Sequence, residues 1–291
     1  MNGLILLDKP SGMTSFAAAA RLRRIYGEKR IGHTGTLDPM ATGVLPVLLG
    51  RATRLSGFVL DADKRYRAVF KLGTVTDTLD ITGKTLAVCE VNVGESDVRK
   101  ALDCFLGEIQ QIPPMFSALK KDGVRLYDLA RQGVSVERPP RTVNIKEINL
   151  TGVLPDNCYE IDVLCSKGTY IRSLCDDIGK KLGCGAVLCE LRRTETAGFS
   201  IGDCARFEEI EASPESFLKS AAAAVPQFPS ASITENQRTR FLHGGALSAD
   251  RLKLPDESFE YCKVVRGDEF VGLGRYDPEK GEIAVKCIIT D

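Results

Sequence analysis

Between residues 64 and 72 the sequence KRYRAVFKL alternates with a period of two. Tyr66, Ala68, Phe70 and Leu72 fall on one side of an extended segment, and Arg65, Arg67 and Lys71 fall on the other. A strand with one buried and one polar face has this pattern, and it places Tyr66 inward, beside a core. The neighbouring strand-like segments are joined by short turns, and helices do not alternate with them regularly. A doubly wound parallel sheet would require that alternation. The expected fold class is therefore α+β, a mixed, largely antiparallel sheet with helices packed on it.

Other elements can be placed along the chain. GLILLDKP reads as a first strand, rather than a signal peptide, and ends at a Pro10-Ser11-Gly12 turn. SFAAAARLRRIYG follows as a helix capped at Ser15, and ESDVRKALDCFLGEI as a helix capped at Ser96 and stopped at Gly107. Two Pro-Pro pairs bracket a basic stretch at about 110–142, which reads as an excursion able to close over a ligand. NCYEIDVLCSKGTYIRSLCDDIGKKLG reads as strand, Gly168 turn and helix. AVLCELRRTETAGFS reads as a strand ending in two arginines. FLKSAAAAVP reads as a last helix before a linker. The expected division is a domain over 1–225, carrying the excursion, and a small α/β module over 232–291.

The net charge is zero, but it is unevenly spread. Residues 1–67 hold eleven Lys/Arg against five Asp/Glu, residues 117–146 seven against three, and residues 200–260 six against ten. A neutral total can therefore hide a basic face that attracts phosphates, although charge counting fits an ordinary mixed surface equally well. No apolar run approaches the roughly 18 residues that span a bilayer. The ten cysteines form no C-x-x-C pair, and neither His33 nor His243 neighbours one. Zinc is not expected, and reduced thiols in a cytoplasmic protein are.

The stretch GHTGTLDPMATG, residues 32–43, surrounds one carboxylate, Asp38, with glycines and threonines. Two readings compete. Asp-Pro commonly starts a helix, Asp as N-cap and Pro as its first residue. Alternatively, Pro39 biases Asp38 towards extended backbone, glycines 32, 35 and 43 allow tight bends, and the carboxylate projects from a stiff loop as a nucleophile or base. The overlapping GEKRIGHT fits a phosphate loop except that His33 replaces its lysine, and a helix-like RLRRIY precedes it where a strand is needed. Nucleotide hydrolysis is rejected on that ground.

GHTGTLDPMATG resembles the catalytic motif of the TruB family, the bacterial tRNA pseudouridine-55 synthases. LDKPSGMTS (7–15), KRYRA (64–68), IPPMFSALK (112–120), SKGTYIRSL (166–174) and LRRT (191–194) resemble its other blocks, in the family's order. The resemblance runs from near residue 4 to about 200. The tail from about 232 is similar, more weakly, to the family's PUA-type RNA-binding module. The resemblance implies a pseudouridine synthase fold and isomerisation of the T-loop uridine, position 55, of tRNA. It implies no nucleotide, metal or redox cofactor, no membrane and no obligatory protein partner. Two alternatives remain: an RNA-binding or RNA-folding protein without turnover, and a guide-RNA-dependent relative.

Residue by residue, the resemblance makes Asp38 the nucleophile and Arg172 the cation that keeps it ionised. Tyr66 would stack on the target base, Tyr170 and Leu191 would line the uracil pocket, and His33 would fill the space left by the flipped base. Lys9, Arg21, Arg23, Arg24, Lys29 and Arg30, with Lys120, Lys121 and Arg125 on the excursion, would contact the RNA backbone of the T-arm.

Overall fold

The computed structural model describes residues 1–117, 119–121, 123–252, 254 and 259–290, with backbone only for Lys120, Lys121 and Arg125. The chain forms two compact units, each built from separate stretches. One comprises Met1–Pro39, Gly43–Asp61 and Gly198–Asp291, the other Met40–Thr42 and Ala62–Ala197.

In the first unit β1 (Gly3–Lys9) is followed by α1 (Ser15–Tyr26), β2 (Ile31–His33), β3 (Thr42–Leu49), a 3-10 stretch Gly50–Leu55 and α2 (Ser56–Leu60). β3 pairs antiparallel with both β1 and β2, setting Lys9 opposite Gly43 and His33 opposite Val47. β1 and β3 are almost wholly buried, which explains why GLILLDK and GVLPVLL read as continuous apolar runs rather than alternating ones. α1 is capped by Thr14, not Ser15: the Thr14 hydroxyl accepts from Ala17 N–H at 3.0 Å, and Gly27 closes the helix in the left-handed conformation. Ser15 is buried and bonded elsewhere.

The second unit holds β4 (Lys64–Leu72), the hairpin β5 (Thr74–Thr76) and β6 (Thr85–Val88), α3 (Glu95–Asp103), β7 (Gly107–Gln111), β8 (Lys120–Lys121), β9 (Val124–Arg125), α4 (Leu126–Arg131), β10 (Arg141–Leu154), β11 (Cys158–Cys165), α5 (Ile171–Lys181) and β12 (Ala186–Thr196). Its main sheet runs β12-β4-β11-β10-β7, antiparallel throughout. The mixed, largely antiparallel α+β expectation matches this architecture. Tyr66, Ala68, Phe70 and Leu72 are buried as the alternation requires, and the burial of Phe70 and Leu72 is worth about 1.5–3 kcal/mol each. On the opposite face the bases pair with the neighbouring strands: Arg65 with Asp162 at 2.6 Å and Glu147 at 3.1 Å, and Arg67 with Glu160 at 3.4 Å.

Three expected boundaries move. α3 starts after Gly94, whose N–H donates to the Asp97 carboxylate, and it ends at Asp103, so Ser96 is inside it; Gly107, at φ +89°, opens β7 instead. β12 does not end at its two arginines but carries them to Thr196. The residues of the expected excursion lie between β7 and β10, which pair directly.

The chain then gives β13 (Phe199–Ser200), α6 (Phe207–Ala212), α7 (Pro214–Phe217), β14 (Ser230–Ser232), α8 (Glu235–Leu242), β15 (Leu247–Ser248), β16 (Tyr261–Arg266), β17 (Glu269–Asp277) and β18 (Glu282–Ile288). The alanine run is not a helix of its own. Lys219 is held in extended pairing with Leu4 through both backbone groups, which leaves only a 3-10 turn at Ala221–Ala224. The last five strands form one sheet in the order β14-β16-β17-β18-β15 around Phe241, Val264, Val271 and Ile283. Arg238 and Thr290 both donate to Glu269, the first residue of the central strand β17.

Candidate active site

Asp38 does not cap a helix. Residues 39 and 40 form a turn and the chain enters β3 at Thr42, so the helix-start reading falls. Both neighbours of Asp38 are fastened by their backbones. Ser15 Oγ donates to the Leu37 carbonyl at 3.1 Å and accepts from the Leu37 N–H at 2.8 Å. On the other side, the Pro39 carbonyl accepts from Gly12 N–H at 2.8 Å and from the Lys9 ammonium at 3.4 Å. Gly35 at φ +90° and Gly43 at φ +104° supply the left-handed bends that bracket the loop; Gly32 lies in β2 and needs no such conformation. A half-buried carboxylate is thus held on a backbone fastened on both sides by hydrogen bonds.

Lys9 changes role in this arrangement. It is fully buried, and its ammonium also donates to the carbonyls of Pro10 and Met13 at 2.8 Å each. A base committed to three backbone carbonyls inside the protein is a loop organiser, and it is not available to a phosphate. Arg21 is half-buried: it pairs with Glu211 at 2.9 Å and its guanidinium lies 4.1 Å over the Phe207 ring. Arg23, Arg24, Lys29 and Arg30 are exposed. The side chains of Lys120, Lys121 and Arg125 lie outside the described residues. His33 is half-buried at the end of β2.

In the second unit β4 stands between β11 and β12. Tyr66 is opposite Val163 on one side and Arg193 on the other, and Leu191 is opposite Ala68. Directly opposed residues share a face, so Tyr66, Leu191 and Arg193 occupy one neighbourhood, all buried. On β12 the intervening Arg192 donates to Thr42 Oγ1 at 3.1 Å.

Tyr170 precedes α5, and Arg172 is in its first turn. α5 packs against β12 and β4, the strands that carry Leu191 and Tyr66. Arg172 is only 3% exposed. Its two terminal nitrogens donate to separate backbone carbonyls, Thr78 at 3.0 Å and Phe116 at 2.7 Å, and its Nε lies 3.9 Å from Asp80 Oδ2. Reading the sequence alone missed Asp80. It is buried in the turn DTLDITGK, where its Oδ1 accepts from Thr78 Oγ1, Thr82 N–H and Thr82 Oγ1. The preceding Leu79 sits at φ +63°, strained for a branched side chain, and is kept there because Leu188 bonds both Leu79 O and Ile81 N–H. The only sequence signal was an acid flanked at two positions on either side by threonines. Among the described residues no group of three or more His, Cys, Asp or Glu could hold a metal ion, and no helix is long and apolar enough to cross a membrane.

Residues 23–171 match the family described as TruB family pseudouridylate synthase, N-terminal domain, and residues 172–223 match the tRNA pseudouridylate synthase B C-terminal domain. The protein named tRNA pseudouridine synthase B of Pseudomonas fluorescens is 42% identical, over 99% of this chain and 96% of its own. That of Syntrophotalea carbinolica is 46% identical over 87% and 84%, and that of Clostridium tetani 43% identical over 99% and 100%. Among solved structures, an H/ACA RNP bound to a substrate RNA containing 2'-deoxyuridine superposes with a TM-score of 0.75 at 25% identity. It covers 99% of this chain and 85% of that one. A Cbf5-Nop10-Gar1 complex gives the same TM-score and coverage at 27% identity.

Proposed function

The chain belongs to the TruB family of pseudouridylate synthases and is a tRNA pseudouridine synthase, and from that premise we propose that it isomerises uridine 55 in the tRNA T-loop, with Asp38 as nucleophile. The reaction breaks the N1–C1′ bond of the uridine, turns the uracil and joins C5 to C1′. The C5 hydrogen leaves to solvent and N1 gains a proton, so no atom is added to the nucleoside. Asp38 attacks, Arg172 keeps its carboxylate ionised, Tyr66 stacks on the base, and Tyr170 and Leu191 enclose the uracil. His33 occupies the space that the flipped nucleotide vacates. Unstacking that nucleotide costs a few kcal/mol, which contacts in the pocket and along the backbone must offset.

The observation that carries the reading is the double fastening of Leu37 and Pro39 around a carboxylate that no helix claims. A nucleophile has to be stiffly placed. Arg172 fits its role because it is buried, always charged and oriented by two carbonyls rather than by chance packing. Arg23, Arg24, Lys29 and Arg30 are the phosphate-contacting candidates the surface supports. The five-stranded sheet of residues 230–288 is proposed as an additional RNA-contacting module, of PUA type, and the enzyme as a cytoplasmic one that acts alone.

Whole-length identity above 40% with proteins named tRNA pseudouridine synthase B favours the stand-alone enzyme over the guide-dependent reading, for which the structural neighbours are only 25–27% identical. Unmodified tRNA carrying tritium at C5 of its uridines tests this. Incubated with the protein alone, it should release label from a single T-loop position. Release from several positions, or only after other proteins or guide RNAs are added, would overturn the reading.

A further inference from the structure

Tyr170 is gripped by two side chains that come from one place in the fold. Gln111, the last residue of β7, is fully buried; its Oε1 accepts from the Tyr170 N–H at 2.7 Å and its Nε2 donates to the Tyr170 carbonyl at 3.0 Å. Arg141, the first residue of β10, is the cross-strand partner of Gln111, so both side chains rise from the same face of the sheet. The Arg141 guanidinium carbon lies 4.6 Å from the centre of the Tyr170 ring. Its Nε is buried with no hydrogen-bond partner. A buried N–H without an acceptor is unfavourable, so another contact fixes the guanidinium, and the ring face is the one at hand. Gly168 lies beside the same guanidinium, its backbone at φ +86°, a conformation that side chains rarely adopt.

We propose that Gln111 and Arg141 are positioning residues for the isomerisation, a pair that fixes the place and tilt of the Tyr170 ring. This rests on the reading of Tyr170 as a wall of the uridine pocket. The two residues divide the task. Gln111 anchors the main chain of Tyr170 and with it the start of α5, one residue before Ile171 and two before Arg172. Its two bonds leave the ring free to rotate about its side-chain torsions. Arg141 removes that freedom by lying across the ring. Loss of Arg141 therefore loosens the ring without moving the helix, and the defect falls on the chemical step and not on RNA affinity.

The test uses the full chain and unmodified tRNA, and reads single-turnover rate, tRNA Kd at fixed salt and thermal midpoint. The variants are Arg141→Met, Arg141→Lys, Tyr170→Ala and the double Arg141→Met/Tyr170→Ala. Arg141→Met should slow turnover about ten- to hundredfold, the scale of a small misplacement in a site, with Kd unchanged. Arg141→Lys keeps a cation over the ring and the local fold, and should recover part of the rate. In the Tyr170→Ala background the Arg141→Met change should cost nothing more, because a residue acting through the ring has nothing left to act on. Parental rate in Arg141→Met, full additivity in the double variant, or a weakened Kd with a reduced salt dependence would overturn the proposal. Were Tyr170→Ala itself as fast as the parent, the pocket reading would fall along with it. Were Tyr170→Ala slow and Arg141→Met fast, only the positioning role would fall.

Discussion

Replacing Arg172 by lysine keeps the positive charge and removes the fork. In the structure two different nitrogens of Arg172 each reach a backbone carbonyl, Thr78 O at 3.0 Å and Phe116 O at 2.7 Å, in a site 3% exposed. A lysine presents one nitrogen on a flexible stem and can satisfy one of those carbonyls in good geometry. The other hydrogen bond, made by a charged donor, is worth about 1.5–3 kcal/mol. A loss of this size in the placing of the group proposed to hold the Asp38 charge corresponds to about ten- to a hundredfold in rate. We expect Arg172→Lys to lower single-turnover release of C5 tritium by that factor, with tRNA Kd close to the parent's. The thermal midpoint should fall as well, since Thr78 O or Phe116 O loses its donor. The assay is therefore run well below that midpoint. A variant that folds, binds tRNA and turns over within about threefold of the parent would refute the orientation argument for Arg172.

Association with tRNA should weaken steeply with salt, with the slope of log K against log salt reduced by about one for each of Arg23, Arg24, Lys29 or Arg30 that contacts a phosphate and is replaced by alanine; filter binding over a salt series measures it. Glu269 supplies a pH signature. Hydrogen bonds from Arg238, then from Thr290, hold its carboxyl at about 2, down from an ordinary 4.5. The folded state then binds fewer protons than the unfolded chain in that interval, so this stabilisation is present above about pH 4.5 and is lost as pH falls towards 2. Glu269→Gln should cost about 1 kcal/mol near neutrality and flatten the acid limb of the melting curve. Burial raises the Cys165 thiol to about 11 and the Cys262 thiol to about 12 and pushes Cys175 up further, while Cys89 and Cys104 are exposed. Brief alkylation of the native protein followed by peptide mass mapping should label Cys89 and Cys104 first and leave the other three unmodified.

What could be read in advance was whatever a single side chain or a local pattern decides. The period of two over Lys64–Leu72 placed Tyr66 inward, and it is buried. The strand at NCYEIDVLC and the Gly168 turn after it followed from local pattern and turn chemistry in the same way. What could not be read was what depends on residues far apart in sequence. Lys9 looked like a surface base beside a proline turn. Its burial is set by β3 and by the Pro39 carbonyl thirty residues on. Ser15 looked like a helix cap, but Leu37, twenty-two residues away, claims its hydroxyl. Asp-Pro looked like a helix start because nothing local says that the next segment pairs with β1. Gln111 and Arg141 carried no motif, and Asp80 only its flanking threonines, since each also acts on Tyr170 or Arg172, far along the chain at the start of α5.

The central claim is that Asp38 attacks the uridine, and Asp38→Asn tests it most directly. This change keeps the size of the side chain and the pinned backbone on either side, and removes only the charge. Mixed with C5-tritiated tRNA, the variant should bind with near-parental Kd and release no label above the protein-free control over many parental half-times. Release of T-loop label at a measurable fraction of the parental rate, from a preparation shown by mass to hold no residual aspartate at position 38, would contradict the account.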